Sequence, residues 1–220
     1  MIAYTGATTF LTNTDEVENA PTSWADIKDG DYTVALGDIN GGNAQAAVIA
    51  SAYAFGGDLN NLDPAFEFWT QMAEDGRINT LDILQQNFET GEIPVGVIWS
   101  FTAIPYKDQI TKYKLQANIP TDGSIMSGYA SVINKYAPHP CAAALAREYI
   151  FSDEGQANLA AAGAIPTRTD VEIPDDIQNA TFKSEDYANA IPMEDTDAYT
   201  KACETVVERW QEEITPLLVQ

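Results

Sequence analysis

The segment 119–168, IPTDGSIMSGYASVINKYAPHPCAAALAREYIFSDEGQANLAAAGAIPTR, joins a Pro/Gly turn, an apolar strand and two capped helices in one unbroken order. Residues 129–133 have the aromatic and β-branched content of a buried strand, and Pro138 and Pro140 bar helix until the chain has left it. Ala142, Leu145, Ala146, Tyr149 and Ile150 then recur at helical spacing on one face, which predicts a helix packed by that stripe with Arg147 and Glu148 outward. Ser152 suits the cap of a second helix, with Asp153 and Glu154 at the positive end of its dipole and Gly163 as a left-handed stop. Pro166 keeps the exit extended.

Working outward, the chain reads as α/β. Residues 2–11 and 33–36 look like strands, while 13–27 is polar and turn-rich. A helix over 44–55 ends at Gly56 and Gly57, and Pro64 opens another whose face carries Phe68 and Met72. Residues 81–88 read as helical, 93–99 as a central strand, 103–110 as helix and 114–119 as strand. The acidic, proline-containing stretch 170–197 reads as a loop-rich wrap before a final helix over 200–213, packed through Ala202, Val206 and Trp210.

The chain has 220 residues, 45% of them hydrophobic and four of them Trp, enough for real cores in one large or two small domains. Eleven basic against 33 acidic residues give a formal net charge of −22, a field that repels nucleic-acid backbones and anionic lipid surfaces. No apolar run approaches the roughly 20 residues of a membrane-spanning helix, so direct membrane insertion is not expected. The residues after Met1 do not read as a targeting signal. The only histidine, His139, lies between two prolines and suits a turn; with only two cysteines, no zinc cluster, metal or cofactor is implied. Cys141 and Cys203 read either as a disulfide or as two buried thiols.

Several short motifs fall in one familiar order: SWADI at 23–27, ALGD at 35–38, AFGGDLNN at 54–61, GEIPVGVIWS at 91–100, and the opening segment. On these the chain resembles the solute-binding proteins of bacterial ABC importers, in the two-lobed class related to ferric-iron, phosphonate and polyamine receptors. The resemblance implies a type II periplasmic-binding-protein-like fold, with 1–12 as a crossover strand, 13–127 as lobe two and 128–220 as the C-terminal part of lobe one. It also implies that the secretion signal and the first part of lobe one, with which the family begins, are absent from this chain, either because it was trimmed or because the gene encodes a shortened protein. The expected function is capture of a small solute by closure of two hinged lobes, for delivery to permease subunits outside the cytoplasm, in the periplasm or anchored at the cell surface.

Three places are candidates for the ligand. Asn40, Gly41, Gly42 and Asn43 open the helix over 44–55, where free N–H groups and the dipole hold an anion; the competing reading is an ordinary turn and cap. Trp99 and Ser100 end the 93–99 strand, at the strand tips where α/β sheets bind ligands, with a core Trp as the alternative. Ser127 and Tyr129, flanking Gly128, offer donors where the chain re-enters the hinge, or form a plain hinge strand.

Ferric-iron receptors of this class carry adjacent tyrosines where this chain has Trp99, Ser100 and Phe101, so hard Fe(III) is disfavoured. Polyamine receptors place a Trp and an Asp where Ser127 and Tyr129 stand here, which weakens an amine ligand. A small polar or anionic organic solute, phosphonate- or phosphate-bearing, is the expectation that remains. Two other classes stay open: a hydrolase built on paired carboxylates, although no nucleophile elbow, P-loop, dinucleotide fingerprint or HExxH helix is present, and a protein-interaction module with no solute cleft.

Overall fold

One long strand runs through the whole sheet in the computed structural model, which describes residues 1–218. This is β1 (Ile2–Asn13), followed by α1 (Trp24–Asp29), β2 (Val34–Ala35), α2 (Gly42–Ala54) and α3 (Asp63–Glu74). Next come β3 (Ile78–Asn79), α4 (Gln85–Thr90), β4 (Val95–Trp99), α5 (Ser100–Gln109) and β5 (Leu115–Asn118). The chain continues through β6 (Ser124–Ala130), α6 (Pro140–Ile150), α7 (Asp153–Ala161) and β7 (Ile165–Pro166). It finishes with α8 (Asp175–Ala180), a 3-10 turn at Ser184–Tyr187, β8 (Ala190–Pro192) and α9 (Thr196–Arg209), which runs on through a wider π turn at Trp210–Ile214 and a tighter 3-10 turn at Thr215–Leu217.

The sheet order is β3-β2-β4-β1-β6-β8, with β5 and β7 also paired to β1. Its two halves meet on β1. Residues 8–12 of that strand pair with β4, and 10–13 with β5, whereas its N-terminal half pairs with β6 and, at Tyr4 and Thr5, with β7. The parallel pairs β2–β3, β2–β4 and β6–β8 extend each half outward.

Strand alternation explains the layers. Phe10 of β1 and Val95, Val97 and Trp99 of β4 point to one face, into a core with Trp24, Val48, Phe66 and Trp69 from the helices. Leu11 and Ile98 point to the other, where Phe88, Ala103 and Ile110 cover them. Helix α2 is buried on almost every side, hence its run of small residues between sheet, α3 and α9. Two indoles in the core are satisfied: Trp24 Nε1 donates to the Gly123 carbonyl at 2.7 Å and Trp69 Nε1 to Ser51 Oγ at 3.0 Å.

The α/β class expected from the sequence is what is found, and Ala202, Val206 and Trp210 are buried as expected. Ser152 caps α7 by accepting from the Gly155 N–H at 3.1 Å, and Gly163 has φ +81°. Other expectations need correction. The strand expected at 129–133 lies upstream, because Ser124–Met126 find partners on β8 while 131–133 have no strand pairing. The apolar stripe of α6 is not packed into a core: Leu145 is 73% and Tyr149 47% exposed, and α7 meets only its end, where Asn158 Nδ2 donates to the Tyr149 hydroxyl. Helix α4 begins only at Gln85, because Asn79 Oδ1 accepts from the Leu81 N–H at 3.0 Å and holds a turn there.

The stretch 170–197 is more ordered than its composition suggests, since β8 is fixed by the distant β6. Residues 13–27 likewise contain a helix, α1, capped by Ser23. The last helix starts at Thr196 rather than Thr200, capped by Asp195. Cys141 is exposed and Cys203 half-buried, both as free thiols, so neither the disulfide nor the pair of buried thiols is found.

Candidate functional site

The mouth of α2 is built by a tight turn after β2. Gly37 takes φ +78°, and the Asp38 carboxylate accepts from both the backbone N–H and Nδ2 of Asn40 at 2.9 Å. Those bonds from Asn40, the backbone one first, hold the Asp38 carboxyl below its ordinary range. Gly41 N–H closes the turn on the Asp38 carbonyl at 2.8 Å and stands as the N-cap with no side-chain cap of its own. Asn40, Gly41 and Gly42 are exposed, and a Cβ at Gly42 would meet open space. The first amides of a thirteen-residue helix therefore open to solvent.

Asn43 behaves differently from its three neighbours. Its Nδ2 donates to the Leu36 carbonyl at 3.2 Å and the Val97 carbonyl at 2.7 Å, which ties the helix start to β2 and β4. Val97 is two residues before Trp99, so this clamp sets the helix mouth beside the β4 tip.

At that tip Trp99 is only 8% exposed and belongs to the core, but its ring also borders an aromatic cluster. It stacks with Phe101 at 6.1 Å and meets Tyr129 edge-on at 6.2 Å between centroids. Tyr4 stacks flat on Tyr129 at 5.0 Å, and Phe101 stands edge-on to both at 5.4 and 5.1 Å. Register explains the cluster: Tyr4 pairs with Tyr129 and Gly6 with Ser127 on one face of the sheet, and Phe101 fits over Gly6 because that residue has no side chain. Burial first, then the neighbouring Tyr4, pushes the Tyr129 phenol up to about 12.

Ser100 is wholly buried; its Oγ accepts from the Ala7 N–H at 3.3 Å and lies beside the Tyr187 phenol. Ser127 is half-buried opposite Gly6. The three stretches singled out in the sequence thus adjoin one another, with Asn40, Gly41 and Gly42 open, Tyr129 and Ser127 partly open, and Asn43, Trp99 and Ser100 turned inward. Sequence reasoning missed Tyr4 as a member. Only the β1–β6 register, which no local pattern encodes, brings it onto Tyr129. Among the described residues, no group of three or more His, Cys, Asp or Glu side chains is arranged to hold a metal ion.

The sequence profile described as bacterial extracellular solute-binding protein matches residues 1–191. The chain belongs to that family. It is accordingly a solute-binding protein and not an enzyme. No curated protein matches the sequence. Among solved structures, an ABC transporter protein from Clostridium perfringens ATCC 13124 superposes with a TM-score of 0.70 at 19% identity, covering 97% of this chain and 69% of that one. The periplasmic binding protein AfuA from Actinobacillus pleuropneumoniae, bound to fructose-6-phosphate, gives 0.68 at 20% identity over 97% and 67% of the two chains. The spermidine/putrescine substrate-binding protein PotD from Streptococcus pneumoniae gives 0.71 at 15% identity over 98% and 69%. These solute-binding proteins share the fold, and no described helix here is long and apolar enough to cross a membrane.

Proposed function

We propose that this chain is the solute-binding component of an ABC importer, and that it grips its solute where the mouth of α2, the tip of β4 and the β1–β6 pair converge. On this reading β1 is the crossover strand, 13–127 form one lobe and 128–220 contribute to the other, with α9 lying back across α2. The supporting observation is the Asn43 clamp, which holds open helix amides beside the strand tip bordered by Trp99 and Tyr129. The solute proposed is a small polar or anionic organic molecule whose phosphonate, phosphate or carboxylate group meets the α2 amides while its body lies on the exposed edge of the aromatic cluster. Closure of the lobes over it is what permease subunits at the extracytoplasmic face would recognise. The sugar phosphate bound by AfuA belongs to that class, whereas the polyamines named for PotD do not, so the shared fold leaves the ligand to local residues.

A thermal-shift series with phosphonates, sugar phosphates, amines and ferric iron tests this reading. An anion that raises the melting temperature supports it, and a solute at about 100 times its Kd adds about 2.7 kcal/mol to the folded state. Trp99→Ala should lower that response in a variant whose circular dichroism remains native. Equal melting temperatures with and without every solute would count against solute capture by the chain.

A further inference from the structure

We infer that a second cavity, between β7 and the α8–Tyr187 segment, is a binding site for a small zwitterion of the α-amino-acid type with an apolar or aromatic side chain. The cavity holds about 630 Å³ and shares no lining residue with the α2 mouth. That volume falls within the usual range for small-molecule sites, about 300–1,000 Å³.

Its walls divide by chemistry. Ile165, Pro166 and Phe182 supply an apolar surface, and Phe182 meets Tyr187 edge-on at 5.9 Å to make an aromatic corner. Glu172 and Glu185 line the same space with a single cation, Lys183. Among the described residues the Lys183 ammonium has no carboxylate within 4.0 Å, whereas Arg168 and Arg209 are each paired twice. Two carboxylates, one unpaired ammonium and an aromatic corner complement a ligand with one ammonium, one carboxylate and an apolar body. The net charge of −22 adds to the attraction for the ligand's ammonium group.

Local hydrogen bonds hold the backbone of the rim, while the side chains of Glu172, Lys183 and Glu185 stay exposed. Lys183 N–H donates to Asp186 Oδ2 at 2.7 Å, Gln178 Nε2 to the Ile173 carbonyl at 2.6 Å and Thr181 Oγ1 to the Ile177 carbonyl at 3.1 Å. Burial raises the Tyr187 phenol to about 12, as expected of a dry corner. Tyr187 also lies beside Ser100, and Gly163 approaches the Ser100 carbonyl so closely that a Cβ there would sit 3.2 Å away. Two residues that line the cavity, Gly163 and Tyr187, are therefore in contact with Ser100 at the start of α5.

Isothermal titration of the 220-residue chain with L-phenylalanine, phenethylamine and 3-phenylpropionate tests the site, with a phosphonate titration run alongside. Saturable 1:1 binding of phenylalanine is expected, with each analogue about tenfold weaker for want of one charge-assisted contact. Lys183→Met should remove the advantage of phenylalanine over phenethylamine, and Glu185→Gln its advantage over phenylpropionate, each with native circular dichroism. Absence of saturable phenylalanine binding, equal affinity for all three probes, or a Lys183→Met variant that still prefers phenylalanine over phenethylamine would overturn the inference. Phosphonate binding that survives Lys183→Met while phenylalanine binding fails would leave the α2-mouth reading standing alone.

Discussion

Asn43 has both Nδ2 hydrogens committed to carbonyls, one just past the end of β2 and one within β4, so its side-chain amide rivets the helix start to the sheet. Asn43→Leu keeps the bulk and strips the donors, leaving the Leu36 and Val97 carbonyls without those bonds. A loss of about 1–3 kcal/mol is expected from that desolvation penalty, measured as a drop in the urea midpoint. A variant as stable as the parent would mean that the clamp contributes nothing. At this scale the sequence was readable where chemistry is local: Gly42 at an open helix start and Trp99 at a strand end follow from position alone. The inward turn of Asn43 and the stacking of Tyr4 on Tyr129 do not, since each depends on partners 54 and 125 residues away along the chain.

Among the elements, the junction of α7 and β7 turns on Gly163. Its φ of +81° lies in the left-handed region, and a Cβ there would approach the Ile104 Cβ to 2.8 Å. Gly163→Ala should cost at least the about 1–2 kcal/mol of a side chain forced into that conformation, with further loss from the contact with α5. Helix α6 makes the opposite case. Its stripe is helical and amphipathic as the spacing predicts, yet Leu145 is largely exposed. Leu145→Glu should therefore change stability by no more than about 0.5 kcal/mol, whereas a packed stripe would lose several times that in the same denaturation experiment. Periodicity specifies which residues share a face, and it is silent about what lies opposite. The same limit moved β6 upstream, because its first residues are strand only by virtue of β8.

For the molecule as a whole, partly buried phenols set its alkaline limit. Burial raises Tyr32, Tyr129 and Tyr187 to about 12, and Tyr53 and Tyr199 are raised as well, each by burial first. The folded state holds these protons over a range in which the unfolded chain, with ordinary phenols near about 10, has already released them. Stability is then intact below about pH 10 and falls as pH climbs toward 12, by up to about 1.4 kcal/mol per pH unit for each fully shifted phenol and less for the half-exposed Tyr129. Urea midpoints taken from about pH 9 to about pH 11.5, with phenolate absorbance followed in parallel, should show the decline. A flat profile would place these rings in water. Fold class was legible at this scale because strand and helix patterns alternate along the chain, while a division about β1 was implied only by the family resemblance, since the strand's own mixture of apolar residues and threonines gives no sign that its two halves keep different company.

That shared strand has a mechanical consequence. A twelve-residue ribbon hydrogen-bonded to β4 and β5 at one end and to β6 and β7 at the other behaves as a torsion bar: rotating either side against the other must wind its middle, near Gly6 and Ala7, where the partners change. The least stiff residue in the bar, a glycine, sits under Phe101 and across from Ser127, so any such winding is felt first by the aromatic rings clustered there.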